Sequence, residues 1–485
     1  MNYVEKIPLK EKIFYGAGDI CGGGSSTLMS VVLLVYLNKV LGIPTAIASS
    51  IILISKLWDA VSDPLMGLIS DNTRTKFGRR KPFLILGGFL LLIAMIILFF
   101  PINSDSMTFK IIYSTVAYLF YSTASTIAQV PYSSLSSDIS NDFKERNKAN
   151  SFKLIFSMSS AAICYIIPSF LLESFLNGKI NHLTFFLTIS LGFGSLFFLT
   201  LLGAGIFTKE RVQYNKDNKN KFNLKSYLEP FKIKSFNYHL IMYICIFTCM
   251  DILSALAVYY ATDVMRDVTI FNQKMSSLYI IAPMTLATFL ALPLTLKISK
   301  IKSKQFALGI GLPLYILGGL MLCFMPSSWP GEIIIISSFI MGLGLAGAQS
   351  MPWLIFPDVV DIAELKYGKR NTGSYSGTIT FLRKLSNAVA IWIVGITLTL
   401  SGEIPGSDSN LRPLQPDSVL LAIRLLLGLS ILILMSITFI YSKKYKVTSS
   451  DLDKIKILNH KFLNKEDLST QEEKEKEDLI NKLIK

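Results

Sequence analysis

The strongest constraint on this chain comes from the stretch 44–83, in which a long apolar run leads into a basic hairpin. The run from 44 to 70 is apolar or small at most positions, and it is long enough to cross a bilayer as one helix of about 20 to 25 residues. Asp59 and Asp63 lie four residues apart, so they share one face of that helix. A charged side chain at mid-membrane costs roughly 2.5–3.5 kcal/mol, and two neighbouring carboxylates therefore require compensation.

Three kinds of compensation fit the pair Asp59 and Asp63. A bound monovalent cation is the simplest, and it makes both carboxylates candidate metal ligands. Lys56 lies three residues before Asp59 and offers a second. The third is protonation of one carboxyl, favoured by the charge of its neighbour. One lysine cannot fully balance two carboxylates, so we favour the cation.

The composition indicates a polytopic membrane protein. Of the 485 residues, 51% are hydrophobic and 17% are charged, and the mean hydropathy is +0.48. This composition is too apolar for a soluble globular protein. The sequence contains twelve apolar spans of about 20 residues. The five cysteines fall in apolar spans without metal-ligand spacing. Because the sequence contains no nucleophile–base set and no soluble catalytic domain, we predict that the protein is not an enzyme.

The net charge of +15 predicts topology rather than a nucleic-acid partner. Lysines and arginines lie in loops between apolar spans, and most fall in loops that face inward if the N-terminus is cytoplasmic. Positive loops stay on the cytoplasmic side. Both termini are therefore predicted to be cytoplasmic, with the lipid bilayer as the surrounding partner and no nucleic acid bound.

The spans fall into two sets of six. The predicted organisation is an N-terminal six-helix bundle over 1–207, a lysine- and asparagine-rich cytoplasmic linker over 208–235, a C-terminal six-helix bundle over 236–442 and a charged cytoplasmic tail over 443–485. Four-residue leucine spacings in the tail allow short amphipathic helices, but its high charge favours a solvated segment.

Two short echoes suggest that the halves are repeats. Lys81-Pro-Phe, which enters the third span, is echoed by Lys304-Gln-Phe, which enters the ninth. Val130-Pro-Tyr in the fourth span is echoed by Met351-Pro-Trp in the tenth. The offsets, 223 and 221 residues, are nearly equal, as expected of parallel repeats.

Polar residues inside other predicted spans are functional candidates, because the bilayer otherwise excludes them. Asp19 in the first span suits an interfacial or gating role as well as a substrate contact. Thr126 and Gln129 are three apart on one face of the fourth span. Lys153 lies just inside the fifth span, either as a functional residue or as an end-of-helix lysine whose amine reaches the interface.

The second half carries charges at two depths. Arg383 and Lys384 lie about ten residues from the inner end of the eleventh span, and adjacent residues point about 100° apart on a helix. At least one of them should face a central cavity. Asp358 and Asp361 end the tenth span at the inner surface. They either form a latch between the halves, by bridging to Lys366, Lys369, Arg370 or the basic hairpin, or remain solvated.

One motif carries a family resemblance. Asp63, Gly67, Asp71 and the hairpin Gly-Arg-Arg-Lys-Pro at 78–82 resemble the sodium:galactoside symporter signature. That signature belongs to the glycoside-pentoside-hexuronide:cation symporter family, within the major facilitator superfamily. The similar features run from Tyr15 to Lys384. The resemblance implies an all-α fold of twelve transmembrane helices in two pseudo-symmetric six-helix bundles, and transport by alternating access.

The resemblance also implies roles for individual residues. The family's cation ligands fall on Asp59, Ser62, Asp63 and Thr126, and these oxygen ligands suit Na⁺ or H⁺ as the coupling ion, with no other cofactor. The deep family lysine that links cation and substrate states falls on Lys384. With the charges described above, the coupling or gating candidates are Lys56, Trp58, Arg79, Arg80, Asp358, Asp361 and Arg383.

The sugar site departs from the family pattern. Melibiose permease, a member of the family, holds galactosides with carboxylates on its first and fourth helices, a nearby tryptophan, and an arginine on the fifth. The similar positions here are Gly23, Gln129, Ser133 and either Lys153 or Leu154. The candidate substrate residues are therefore Asp19, Gly23, Gln129, Ser133, Lys153 and Lys384.

The sequence thus predicts a monomeric symporter of the inner membrane that couples Na⁺ or H⁺ to uptake of a sugar, glycoside or uronide. The alternative is a lysophospholipid or other amphiphile. The vertebrate sodium-coupled lysophospholipid symporters resemble the same family, and they also lack the sugar clamp, that is, the carboxylates, tryptophan and arginine that hold galactosides in melibiose permease. A remote alternative is a membrane sensor that does not transport.

Overall fold

The computed structural model describes residues 6–102, 104–140, 142–211, 228–368, 372–407, 410–463 and 469–483. Most of the predicted linker lies outside these residues. The chain forms two compact units. Unit 1 comprises Met1–Phe222 and Ile391–Val419, and unit 2 comprises Asn223–Ala390 and Leu420–Lys485.

The helices of unit 1 follow one another through short connections. They are α1 (Leu9–Ala17), α2 (Asp19–Val35), α3 (Thr45–Asn72), α4 (Lys81–Phe99), α5 (Met107–Asp138), α6 (Phe143–Leu176), α7 (His182–Phe186) and α8 (Gly194–Phe207). A π-helical turn over Tyr36–Val40 extends α2, and another over Leu187–Phe193 joins α7 to α8.

Unit 2 repeats this pattern and adds two helices at its end. A 3₁₀ turn (Glu229–Lys232) precedes α9 (Lys234–Tyr259), a π-helical turn (Tyr260–Val264), α10 (Leu278–Ile301), α11 (Lys304–Phe324), α12 (Glu332–Tyr367), α13 (Thr372–Leu400), α14 (Asp417–Lys444), α15 (Ser449–Leu463) and α16 (Thr470–Leu483). The residues of α13 from 391 onward belong to unit 1. The short strands β1 (Thr269–Ile270) and β2 (Gln273–Lys274) pair antiparallel, with Thr269 opposite Lys274.

Within the described residues, eleven helical segments are long and apolar enough to cross a membrane. α5 does not meet that measure of hydropathy, because serine, threonine and glutamine side chains line much of it. With 32 residues it is nevertheless longer than a bilayer core requires. The eleven segments and α5 account for the twelve long helices expected from the sequence.

Small residues allow the helices to approach closely, as is usual in membrane proteins. A Cβ atom at Gly87 of α4 would lie 2.6 Å from the backbone nitrogen of Ala128 on α5. In unit 2, a Cβ atom at Gly311 of α11 would lie 2.6 Å from the carbonyl oxygen of Gly344 on α12. A side chain at either glycine would push these helix pairs apart.

The two sequence echoes fall at equivalent places in the two units. Lys81 is the first residue of α4, and Lys304 is the first residue of α11. Pro131 lies inside the long helix α5, and Pro352 lies inside the long helix α12. The echoes therefore mark corresponding helices of a repeat.

The tail forms helices that pack on unit 2, so the prediction of a solvated segment was wrong for its described residues. Asn459 donates to the carbonyl of Asp361 at 3.0 Å, and Ser235 donates to the carbonyl of Leu483 at 2.5 Å. The four-residue leucine spacing explains this packing, since it buries Leu479 and Leu483 on one face of α16.

The charges of the tail are paired rather than merely solvated. Lys482 lies 2.8 Å from Asp451, and Lys461 lies 2.7 Å from Glu472. The hydrogen bond from Lys461, followed by that from the backbone of Ser469, lowers the pKa of Glu472 to about 2. These pairs hold α15 and α16 together.

Candidate cation and substrate sites

Two carboxylates on α3 meet two hydroxyls on α5. Thr126 donates to Asp63 at 2.8 Å, and Ser122 donates to Asp59. The two carboxylates are four residues apart on α3, and the two hydroxyls are four residues apart on α5. The residue numbers of both helices increase in the same direction along these contacts, so α3 and α5 run parallel at this point. Ser62 lies 3.5 Å from the hydroxyl of Thr126. The predicted cation ligands Asp59, Ser62, Asp63 and Thr126 are therefore brought together.

Ser122 is a member of this cluster that the sequence analysis missed. It is buried, with 3% of its surface exposed, and its partner Asp59 is buried to the same extent. A signal was present, because Ser122 lies one helical turn before Thr126 and so on the same face of α5. Hydroxyl and carboxylate oxygens are the ligands that hard cations prefer.

The amine of Lys56 lies 3.1 Å from a carboxylate oxygen of Asp59. Lys56 therefore balances the charge of Asp59, which was one of the three kinds of compensation considered from the sequence. Asp63 receives the hydroxyl of Thr126. A lysine amine contacts a carboxylate as a compact point charge, and a small cation can take the same position. Trp58, the next coupling candidate, donates its indole N–H to Thr123 at 2.9 Å, which ties α3 to α5 beside the cluster.

A second polar group in unit 1 joins α2, α5 and α6. The amine of Lys153 lies 3.9 Å from Asp19 and 4.7 Å from the ring centroid of Tyr132. Lys153 therefore turns toward neighbouring helices rather than toward the membrane interface. Gln129 donates to Ser25 at 3.2 Å and to Ser125 at 2.9 Å, so its amide is held within the same part of the unit.

The remaining sugar-clamp positions do not offer clamp chemistry. A Cβ atom at Gly23 would lie 2.6 Å from the carbonyl oxygen of Ser157 on α6, so close helix packing explains this glycine. Ser133 is exposed and donates to the carbonyl of Val130 in its own helix at 2.8 Å. Neither residue can replace a carboxylate or an aromatic face.

The basic hairpin is bound within unit 1. Arg79 donates to Asp138 at 2.6 Å, Arg80 donates to the same carboxylate at 3.3 Å and also pairs with Asp71. The backbone N–H groups of Arg79 and Arg80 donate to Glu210 at 3.0 and 2.8 Å. Asp138 and Glu210, which the sequence analysis did not select, therefore anchor the hairpin.

The glycine before the hairpin arginines is required by its backbone. Gly78 has φ +109°, a conformation that side chains other than hydrogen rarely permit. A Cβ atom there would also lie 2.6 Å from a carboxylate oxygen of Glu210. The glycine thus allows Glu210 to receive the N–H groups that follow it.

The predicted latch of Asp358 has a different partner. Asp358 is buried and pairs with Lys304 at 2.6 Å, so the solvated alternative does not describe it. The reason is that α11 begins at Lys304 and packs along α12, which carries Asp358. Asp361 accepts a hydrogen bond at its backbone carbonyl from Asn459 of the tail. Lys369 and Arg370, also considered for the latch, lie outside the described residues.

The adjacent cations of α13 are placed differently. Arg383 forms a two-pronged pair with Asp251 of α9, at 2.6 and 2.9 Å. Lys384, one position further along the helix, points about 100° away from it and is half-buried. The contact makes Asp251 an interhelical residue that joins α9 to α13.

These long apolar helices are those of a multi-pass membrane protein. Residues 14–449 match the family model described as MFS/sugar transport protein, and the chain belongs to this family of transporters. The family confirms the resemblance seen in the sequence, and its members are transporters rather than enzymes.

Curated relatives agree with this assignment. An uncharacterized symporter of Synechocystis is 27% identical, over 87% of this chain and 91% of its own. The putative sulfoquinovose importer of Escherichia coli is 26% identical, over 84% of this chain and 86% of its own. Among solved structures, a bacterial homologue of the human lysosomal transporter Spinster has a TM-score of 0.61 at 13% identity, covering 95% of this chain and 98% of that one. The protein is a multi-pass solute symporter of the major facilitator fold.

Proposed function

We propose that this symporter couples Na⁺ or H⁺ to uptake of a negatively charged sugar, such as a uronate or a sulfonated sugar, across the inner membrane. Both termini would lie in the cytoplasm. The observation that carries the proposal is a contrast within unit 1. The carboxylate and hydroxyl ligands of the cation cluster meet one another, whereas the clamp positions lack the carboxylates and tryptophan that bind neutral galactosides.

The cation part rests on the contacts of Asp59 and Asp63. Two carboxylates with hydroxyls from Ser122 and Thr126 offer a set of hard oxygen ligands. The ammonium of Lys56 contacts one of the carboxylates, so part of the cluster already accepts a positive charge. A proton on either carboxylate would serve the same purpose.

The substrate part rests on the sign of the charges near the clamp positions. Gln129 donates and accepts hydrogen bonds but carries no negative charge, and Lys153 on α6 is positive, with the carboxylate of Asp19 3.9 Å from its amine. Lys384 is a second deep cation, at the position that the family resemblance links to substrate. Hydrogen bonds to a charged group contribute roughly 1.5–3 kcal/mol each, so an anionic sugar gains from these lysines. One relative, the putative sulfoquinovose importer, is named for a sulfonated sugar, whereas the relatives give no support to the lysolipid alternative.

The test is uptake into proteoliposomes of three sugars that differ only at carbon 6. These are glucose, glucuronate and sulfoquinovose, with lysophosphatidylcholine as a fourth substrate. Each is offered with a sodium gradient at constant pH and with a pH gradient without sodium. We expect gradient-driven uptake of glucuronate or sulfoquinovose and little uptake of glucose. Uptake of glucose alone, or of the lysolipid alone, contradicts the proposal.

Lys384→Ala separates the substrate role of this lysine from a cation role. We expect this variant to lose affinity for the charged sugar, by roughly 10- to 100-fold, while sodium binding measured without sugar changes less. Loss of sodium binding with sugar binding preserved would contradict the assignment of Lys384.

A further inference from the structure

Unit 2 carries a cluster of aromatic rings beside its mid-helix ion pair. Tyr243 and Phe247 on α9 lie with ring centroids 4.7 Å apart, and Trp353 on α12 meets them edge-on at 5.5 and 6.1 Å. The guanidinium carbon of Arg383 lies 5.2 Å from the centroid of Phe247. The rings therefore lead directly to the pair of Arg383 and Asp251.

The cluster follows one face of α9. His239, Tyr243, Phe247 and Asp251 are each four residues apart, so they form a single line along the helix. α13 places Arg383 beside the end of this line, as the two bonds to Asp251 show. Aromatic and charged groups thus form one continuous surface inside unit 2.

This surface does not face lipid. The side chain of Arg383 is 24% exposed and that of Asp251 is 10% exposed, and a charged pair at this depth is excluded from hydrocarbon. Trp353, which touches the same rings, is 57% exposed. The indole therefore has an open face beside the ion pair.

A cavity borders the indole. Its volume is about 50 Å³, which suits a few water molecules or a small substituent rather than a whole sugar. It can take one substituent of a sugar while the ring lies on the open indole. The cavity is lined by His239, Tyr243, Pro352, Trp353, Phe356, Ser376, Ile379 and Thr380.

Arg383 and Asp251 can form more hydrogen bonds than the two between them. Their two bonds use two of the five N–H donors of the guanidinium, and a carboxylate accepts at about four positions. A hydroxyl that bridges such a pair can donate to the carboxylate and accept from the guanidinium. Adjacent hydroxyls of a sugar ring have this dual character, and the polarised C–H bonds of the ring suit the negative face of an aromatic side chain.

The repeat gives an independent reason to regard this surface as a substrate site. Asp251 and Arg383 lie 232 and 230 residues after Asp19 and Lys153, and Trp353 lies 221 residues after Tyr132. In unit 1, Lys153 contacts both Asp19 and Tyr132. The set in unit 2 is thus the counterpart of the candidate substrate residues of unit 1.

We propose that this face of unit 2, formed by Tyr243, Trp353, Asp251 and Arg383, binds the pyranose ring of the substrate. Trp353 supplies the stacking surface, and the Asp251–Arg383 pair binds adjacent ring hydroxyls. This inference rests on the proposed sugar substrate, and it concerns the ring rather than the charge at carbon 6.

The test compares binding of glucose, glucuronate and sulfoquinovose to the purified full chain in lipid nanodiscs, by calorimetry. We expect Trp353→Ala to weaken every sugar that the unmodified protein binds by the same factor, roughly tenfold. Asp251→Asn should weaken the same sugars by roughly tenfold or more. Trp353→Phe keeps an aromatic face and should restore most of the affinity. Its recovery excludes a merely structural loss.

Trp329→Ala is the matched control. Trp329 is 53% exposed and belongs to the same unit, but it lies in the connection between α11 and α12, outside the aromatic cluster. Its replacement should leave sugar affinity unchanged. Unchanged affinity in Trp353→Ala and Asp251→Asn overturns the inference and leaves the proposed function standing. So does a loss for the charged sugars while glucose, where the unmodified protein binds it, keeps its affinity. Failure of the unmodified protein to bind any of the three sugars overturns the proposed function itself.

Discussion

Each unit contains an aspartate that lies within an apolar helical span and is paired with a cation, and the two pairs differ in closeness. In unit 1 the amine of Lys153 lies 3.9 Å from Asp19. In unit 2 the guanidinium of Arg383 contacts both oxygens of Asp251, at 2.6 and 2.9 Å. A planar guanidinium fits a carboxylate with two parallel bonds, whereas an ammonium is a point charge that exchanges partners easily. The loose pair suits exchange of an ion or ligand, and the tight pair suits a fixed surface.

The same contrast separates the cation cluster from unit 2. Asp59 contacts the ammonium of Lys56 and accepts from the hydroxyl of Ser122, and Asp63 accepts from the hydroxyl of Thr126, so exchangeable ligands contact both carboxylates. Asp251 has a guanidinium that cannot lose its proton. We therefore expect cation coupling to depend on unit 1 and ring recognition on unit 2.

The largest expected effect comes from removing a carboxylate of unit 1. Asp59→Asn and Asp63→Asn each lose one negative ligand, so sodium- or proton-stimulated uptake in proteoliposomes should fall by roughly 10- to 100-fold. Asp105→Asn, in the exposed connection before α5, should have no effect. Full stimulation in both variants would make the carboxylates structural.

The next effect concerns stability and compares the two pairs directly. Arg383→Gln leaves Asp251 largely buried without its guanidinium, which should lower the free energy of unfolding by about 1–3 kcal/mol. Lys153→Gln breaks a longer contact and should cost less than about 1 kcal/mol. Thermal unfolding in detergent measures both.

The control for this comparison is the double variant Asp251→Asn with Arg383→Gln. It removes both charges, so it should recover part of the stability lost in the single variant. Equal losses of unfolding free energy in Arg383→Gln and Lys153→Gln would mean that the two ion pairs do not differ in their contribution to stability.

A smaller effect should follow from Lys56→Met. The ammonium competes with a mobile cation for Asp59, so its removal should lower the sodium concentration for half-maximal uptake, by about fivefold. Uptake at pH 8 measures this, because fewer protons then compete for the carboxylates. Lys56→Arg keeps the charge and should not show the change. A raised sodium requirement in Lys56→Met would mean that the lysine assists the cation instead.

The fold and the core of the cation cluster were predictable from the sequence, because they depend on local spacing. Apolar runs predict the helices, and the four-residue spacing of Asp59 and Asp63 predicts a shared face. Contacts over long separations were not predictable. The pairing of Asp251 with Arg383 joins positions 132 residues apart, and that of Asp358 with Lys304 depends on how α11 packs along α12.

For the tail, the composition led to a prediction that the structure does not bear out. Its charge favoured a solvated segment, yet Lys482 and Asp451 pair and Leu479 is buried. A highly charged segment can pack against the protein when its charges pair with one another. Composition alone does not distinguish such a packed segment from a solvated one. The amphipathic spacing of the leucines was the better indicator.

The smallest effect should come from Ser122, the member of the α3–α5 cluster that was not predicted from the sequence. Ser122→Ala removes one hydroxyl that donates to Asp59 but leaves the contact with Lys56, so it should weaken the apparent affinity for the coupling cation by a few-fold, about 1 kcal/mol. Ser114→Ala is the matched control, because Ser114 is also buried on α5 but lies eight residues before Ser122, roughly 12 Å along the helix at 1.5 Å per residue. If the Ser122 hydroxyl is a cation ligand, sodium affinity falls while sugar affinity at saturating sodium does not. An equal fall in both would show that Ser122 only positions α5 against α3, and the cation cluster would then consist of Asp59, Ser62, Asp63 and Thr126 as the sequence predicted.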